Sequence, residues 1–217
     1  HDERTARLYV PADNRLGDGT LVGERATLAS QAAVRRLRTE HGVPTKQIGA
    51  SLRSGEQIRD LAGLDVLTMP PKAAAQFLAL SLPPDQLADR TARDYQPPLA
   101  PGVDAKLVGL DALWDIPDSL VACCDELDAE DLDSFTPDDL VAFFHHHGCG
   151  DLFPCWTPEQ TATSAAEGKV PSLDHWSDLL AARVVGLDAL LNLAGLNAFT
   201  ADQVAMDARV ATVLAKA

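Results

Sequence analysis

Two groups of residues in this chain have the types and spacing that chemistry asks for. The first is Ser51, Arg53, Thr68 and Pro70, at or near the ends of two short runs, residues 47–52 and 66–69. Both runs are brief and mostly small or apolar, as buried parallel strands are. Functional groups of a parallel sheet collect at the carboxyl ends of its strands. The second group is His145, His146, His147, Cys149 and Cys155. Imidazole and thiolate are the ligands zinc prefers. Consecutive helical residues project in different directions, however, so three neighbouring histidines do not converge on one ion. No Cys-x-x-Cys pair accompanies them, and adjacent Cys123 and Cys124 make an awkward chelate. The simpler reading is a set of cations at a helix C-terminus followed by a glycine turn, and no metal is expected. Residues 125–133 are dense in carboxylates but lack the central glycine of a calcium loop, so they read as solvated acid.

The elements that must position the first group follow from periodicity. Residues 56–61 put Ile58 and Leu61 on one helical face, and Gly63 is a natural stop beyond them. After Pro70-Pro71, residues 72–80 form an alanine-rich helix. Strand, helix, strand, helix in so short a span implies parallel strands joined by a right-handed crossover. Upstream, residues 26–40 read as a helix with Leu28, Ala32, Val34 and Leu37 inward and Arg35, Arg36 and Arg38 on a solvated face.

These same residues resemble a known family. Gly49-Ala50-Ser51-Leu52-Arg53, then Gly55-Glu56-Gln57-Ile58, Leu61-Ala62-Gly63, and Leu67-Thr68-Met69-Pro70-Pro71-Lys72 are similar to the last strands of the transaldolase barrel. Leu8-Tyr9-Val10-Pro11-Ala12-Asp13 resembles the family's approach to its seventh strand, so the likeness spans about residues 4–80. The last helix weakly resembles the C-terminal helix that covers the family's barrel mouth. The resemblance implies that Ser51 and Arg53 hold the phosphate of a sugar phosphate. The chemistry is compatible: a guanidinium clamps phosphate through paired charge-assisted hydrogen bonds, and a hydroxyl adds a neutral donor. The family's Schiff-base lysine, its carboxylate acid/base pair and its substrate-binding asparagines lie on earlier strands that this sequence does not hold. Lys46 and Lys72 do not match the nucleophilic position, so no catalytic residue is assigned.

The expected fold is therefore α/β: a partial (β/α)8 barrel, transaldolase-like in its last two strands, followed by a mainly α-helical acidic region. Residues 1–84 carry 11 Lys and Arg against 9 Asp and Glu, whereas residues 85–217 carry 7 against 23. A domain boundary is placed at that change, near Pro83-Pro84. The formal net charge of −14 argues against nucleic acid as a partner. No apolar run is long enough to span a bilayer and no signal-peptide layout opens the chain, so cytoplasmic localisation and no membrane partner are expected.

In the acidic region, residues 103–114 and 118–127 read as helices, and Thr136-Pro137-Asp138-Asp139 is a helix start. Residues 172–193 read as one helix and Thr200-Ala201-Asp202-Gln203 as the start of the last. Val108-Gly-Leu-Asp-Ala-Leu113 returns as Val185-Gly-Leu-Asp-Ala-Leu190, a short internal echo.

Two functional expectations follow. One is the C-terminal part of a transaldolase-like enzyme, moving a dihydroxyacetone unit between sugar phosphates through a Schiff base, without cofactor. Its nucleophilic lysine and remaining strands would come from another polypeptide or a missing segment that completes the barrel. The other is a non-catalytic sugar-phosphate-binding or regulatory subunit whose acidic helices bind a partner.

Overall fold

A computed structural model of the chain describes residues 19–106 and 109–215. Expectations for residues 1–18, including the Leu8–Asp13 block, lie outside the described residues. The chain divides into two compact units, His1–Gly102 and Val103–Ala217.

The first unit holds α1 (Val22–His41), β1 (Ile48–Gly49), α2 (Gly55–Asp60), β2 (Val66–Leu67) and α3 (Pro71–Ala79). The strands pair in parallel, Ile48 opposite Val66 and Gly49 opposite Leu67. This corrects the expected partial (β/α)8 barrel: the described residues are mostly helical, and their one sheet has two strands of two residues each. The physical reason lies at the strand ends. Ser51 adopts a left-handed backbone (φ 59°), so the run expected over residues 47–52 stops pairing after Gly49. The second run ends at Leu67 because Pro70 and Pro71 commit the chain to α3, in which Pro71 is the first residue. Ile48 and Val66 are exposed, so the pair is a short joint between helices rather than a barrel wall. The core is Leu28, Leu52, Ile58, Leu61, Leu64 and Ala73, with Leu67, Phe77 and Tyr95 packed against it.

Helix α1 faces this core with more than apolar residues. Glu24 and Gln31 are buried, and Arg35 and Arg38 lie on the same side, whereas Ala32 and Leu37 are exposed. Gln31 Nε2 donates to Asp65 Oδ2 at 3.0 Å and its Oε1 accepts the Asp65 N–H at 3.1 Å. Arg38 forms a two-pronged pair with Asp65, at 3.1 and 2.5 Å, and the Gln47 N–H donates to the same carboxylate at 3.0 Å. These donors hold the Asp65 carboxyl well below the usual carboxylate range, Arg38 contributing most. Arg35 reaches the Gly63 carbonyl at 2.6 Å. Of the three arginines expected on a solvated face, only Arg36 is fully there.

The second unit is helical in its described residues: α4 (Asp118–Leu127), α5 (Pro137–His146), α6 (Pro158–Glu167), α7 (Leu173–Ala181) and α8 (Leu187–Leu214). Helices α5 and α6 each begin with a capping box, Thr136 with Asp139 and Thr157 with Gln160, and a proline at the first turn. The helix expected over residues 103–114 is reduced, among its described residues, to a 3-10 turn at Leu110–Leu113. The single helix expected over residues 172–193 is broken: Arg183 takes a left-handed conformation (φ 50°) and the Gly186 N–H donates to the Asp151 carbonyl at 2.8 Å. Thr200 does not start a helix. It lies inside α8, its hydroxyl donating to the Leu196 carbonyl one turn back. Leu110, Trp176, Val185 and Leu190 are fully buried, and Ser164 of α6 meets Asn197 of α8 (3.2 Å) beside the buried Ala194 and Ala198. No described helix is long and apolar enough to cross a membrane.

Candidate functional site

Strand β1 and helix α2 are joined by residues 50–54. Leu52 is buried in the core, which turns its neighbours Ser51 and Arg53 to the surface at the carboxyl end of β1. Thr68, at the corresponding end of β2, is also exposed, and its N–H donates to the Gly49 carbonyl at 2.8 Å. The structure thus brings the predicted pair, Ser51 and Arg53, to one rim of the two-stranded sheet, with Thr68 at the end of the adjoining strand. The loop is fixed from below. The Arg53 N–H donates to Gln57 Oε1 at 2.8 Å, and Gln57 Nε2 donates to the buried Glu24 of α1 at 3.1 Å. Ser54 is spent on structure, its hydroxyl accepting the Gln57 N–H at 3.3 Å as the cap of α2.

A glycine makes this loop possible. A Cβ on Gly55, the first residue of α2, would come within 2.6 Å of Gln76 C and 2.8 Å of Phe77 Cα, both backbone atoms of α3. The close approach of α2 to α3 sets where Arg53 stands. The first turn of α2 already carries an anion, Glu56, held below the usual carboxylate range by its own N–H and the Ser54 hydroxyl. A phosphoryl group at this rim would therefore depend on Arg53 and Ser51 rather than on the helix end.

The second unit has a cleft of about 660 Å³. Its wall carries Asp111, Asp115, Asp118, Asp151 and Asp188 against Lys106 and Arg183. Arg183 Nη2 lies 3.6 Å from Asp111 Oδ2, while Asp111 Oδ1 is buried with no hydrogen-bond partner. Burial pushes the Asp188 carboxyl up, and Asp151 nearby adds to the rise, so Asp188 takes a proton more readily than an ordinary aspartate. A wall with this excess of carboxylates attracts cations and repels phosphate. Sequence reasoning missed it, although a signal was present: Asp111 and Asp188 occupy the same place in the two copies of Val-Gly-Leu-Asp-Ala-Leu.

The histidines and cysteines separate. His145 Nε2 lies 3.1 Å from the Phe153 carbonyl and 3.5 Å from Cys155 Sγ. Because the carbonyl only accepts, Nε2 carries the proton. His147 Nδ1 lies 2.9 Å from Glu126, on α4. Cys149 is buried with Cys123 and Phe144, and burial pushes the Cys123 thiol up. Among the described residues no three His, Cys, Asp or Glu side chains are grouped to hold a metal ion.

No protein-family model, curated protein or solved structure matches this chain.

Proposed function

We propose that the first unit is a binding module for the phosphoryl group of a phosphorylated sugar, with Arg53 as the charged clamp and Ser51 as the neutral donor. The reading rests on the resemblance of residues 49–72 to transaldolase strand ends. The observation that carries it is local: the buried Leu52 turns Ser51 and Arg53 outward together, with Ser51 in a left-handed conformation at the end of β1. A non-glycine residue in that region costs of order 1–3 kcal/mol and such residues concentrate at binding and catalytic sites. Binding is the role proposed for this rim; a Schiff-base reaction would also need a desolvated amine beside an acid/base carboxylate. Lys46 and Lys72 are both exposed and fall outside the family's nucleophilic position.

Calorimetric titration with fructose 6-phosphate tests this. Binding is expected for fructose 6-phosphate, in competition with inorganic phosphate, and not for fructose. Arg53→Ala should weaken it at least tenfold, since hydrogen bonds to charged groups contribute about 1.5–3 kcal/mol. Arg53→Lys keeps charge but loses the planar fork and should fall between. Equal heats from wild type and Arg53→Ala would refute the assignment. Borohydride trapping with the same sugar separates the two roles: an adduct on this chain would replace binding with Schiff-base catalysis.

A further inference from the structure

Helix α8 is 28 residues long, but only its first half is packed. Leu187, Leu190, Ala194 and Ala198 are buried, whereas every residue from Phe199 to Leu214 is exposed. That outer part is not polar. Phe199 is 69% exposed, Met206 61%, Val210 53% and Val213 61%, and Leu196, just before it, is 65% exposed. An ordinary solvated helix carries charge on such positions. The spacing is regular as well. Leu196, Gln203 and Val210 recur at seven residues, and so do Phe199, Met206 and Val213, three residues further on. This alternation of three and four is the spacing of a two-stranded coiled-coil seam, with one polar residue, Gln203, among its six positions.

We propose that this face pairs with the same face of a second copy of the chain, in antiparallel orientation about a two-fold axis. Antiparallel stacking sets Leu196 opposite Val213 of the second copy, Phe199 opposite Val210 and Gln203 opposite Met206, each layer occurring twice by symmetry. Charge selects this arrangement. Asp202 and Arg209 flank the seam on one side, and the antiparallel pairing brings Asp202 of each copy beside Arg209 of the other. Asp207, on the opposite flank, then comes beside Thr200 of the second copy. Parallel pairing would instead set Asp202 against Asp207 of the second copy, a like-charge contact on both sides of the dimer. The outer helix has little else to hold it: a segment of this length is marginal alone in water. Lys169 does not close the seam. It pairs with Asp202 at 3.2 Å and stands 5.8 Å from the centre of the Phe199 ring, leaving most of that ring open.

Sedimentation equilibrium of the full chain across a wide concentration range tests the pairing. A reversible monomer–dimer equilibrium is expected. Asp202→Arg and Arg209→Asp, each alone, turn two attractive contacts per dimer into repulsive ones and should raise the dissociation constant about tenfold or more. An equimolar mixture of the two variants should recover wild-type association. In the mixed dimer one copy brings only arginines to that flank and the other only aspartates, so both contacts are attractive again. That recovery also separates loss of the dimer from loss of the internal Lys169 contact. Circular dichroism of each variant checks that α8 persists. A chain that stays monomeric at every concentration overturns the proposal. So does stronger association of Asp202→Arg alone, the signature of parallel pairing, or a mixture no tighter than its parts.

Discussion

Replacing Gly55 by alanine tests the account of how α2 and α3 hold the Ser51–Arg53 rim. The added methyl would sit within 2.6 Å of Gln76 C and 2.8 Å of Phe77 Cα, where ordinary carbon contacts begin near about 3.5 Å. The obstacles are main-chain atoms, so no rotamer change relieves the overlap, and α3 must move away from α2. Overpacking of this kind costs about 1–3 kcal/mol, and the absence of a side-chain escape puts Gly55→Ala toward the top of that range. Alanine's advantage over glycine within a helix returns about 0.5–1 kcal/mol, leaving a net loss near about 2 kcal/mol. Gly23, in the first turn of α1, is the control: nothing lies within 4 Å of its added Cβ, so Gly23→Ala should stabilise by that same advantage. Amide exchange at Thr68 reads the outcome locally, since its N–H closes the bond to Gly49 between the strands. A loss of about 2 kcal/mol accelerates exchange about 30-fold where local opening governs it. Unchanged or slower exchange in Gly55→Ala, or equal damage from Gly23→Ala, would refute the close-approach argument.

Two further outcomes are expected. Asp65→Asn should lower the thermal midpoint at neutral pH, and the gap from wild type should depend on pH with a definite sign. The folded carboxyl titrates well below the unfolded one, so its contribution is complete above about pH 5 and fades as pH falls through the unfolded value toward the folded one. Melting curves should show a constant gap from about pH 6 to 8 that closes in acid; a gap that widens in acid contradicts the pairing with Arg38. Of the four cysteines, Cys124 and Cys155 are exposed and Cys123 and Cys149 buried. A thiol reagent should therefore titrate two groups rapidly and the other two only on unfolding, and peptide mapping that found Cys123 among the fast pair would contradict the packing around Phe144.

Periodicity recovered the order of elements in the first unit because Ile58, Leu61 and Ala73 are apolar and placed at helical spacing. It misjudged α1 because that helix turns a polar stripe inward. Gln31 is fully buried, yet nothing in its type announces that Asp65 lies across from it. Burial of a glutamine is favourable only once both of its bonds are made, and the partner is 34 residues away. The barrel expectation failed for a different reason. Strand-like composition over residues 47–52 does not reveal that Ser51 turns the backbone aside after two rungs. Helix starts were legible where proline backed the hydroxyl: Thr136-Pro137 caps a helix, whereas Thr200-Ala201 is threaded through one, since alanine permits a helix to continue where proline interrupts it. The same signal stood at Thr157-Pro158, and α6 follows it. For the candidate site, the residue types at 51 and 53 were legible, but their shared outward aspect depends on Leu52 finding the core.

The repeated hexapeptide shows how little of a helix's kind is written in its own letters. From Leu110 it winds as a tight 3-10 turn that stops at Trp114, three residues short of Pro117; from Leu187 the identical Leu-Asp-Ala-Leu opens the longest helix among the described residues. Leucines three apart fit either winding, so what both copies specify is an inward anchor and an acid beside it, and the downstream residues choose the pitch. Grafting the Leu191–Ala194 continuation after Leu113 would ask the first copy to behave as the second.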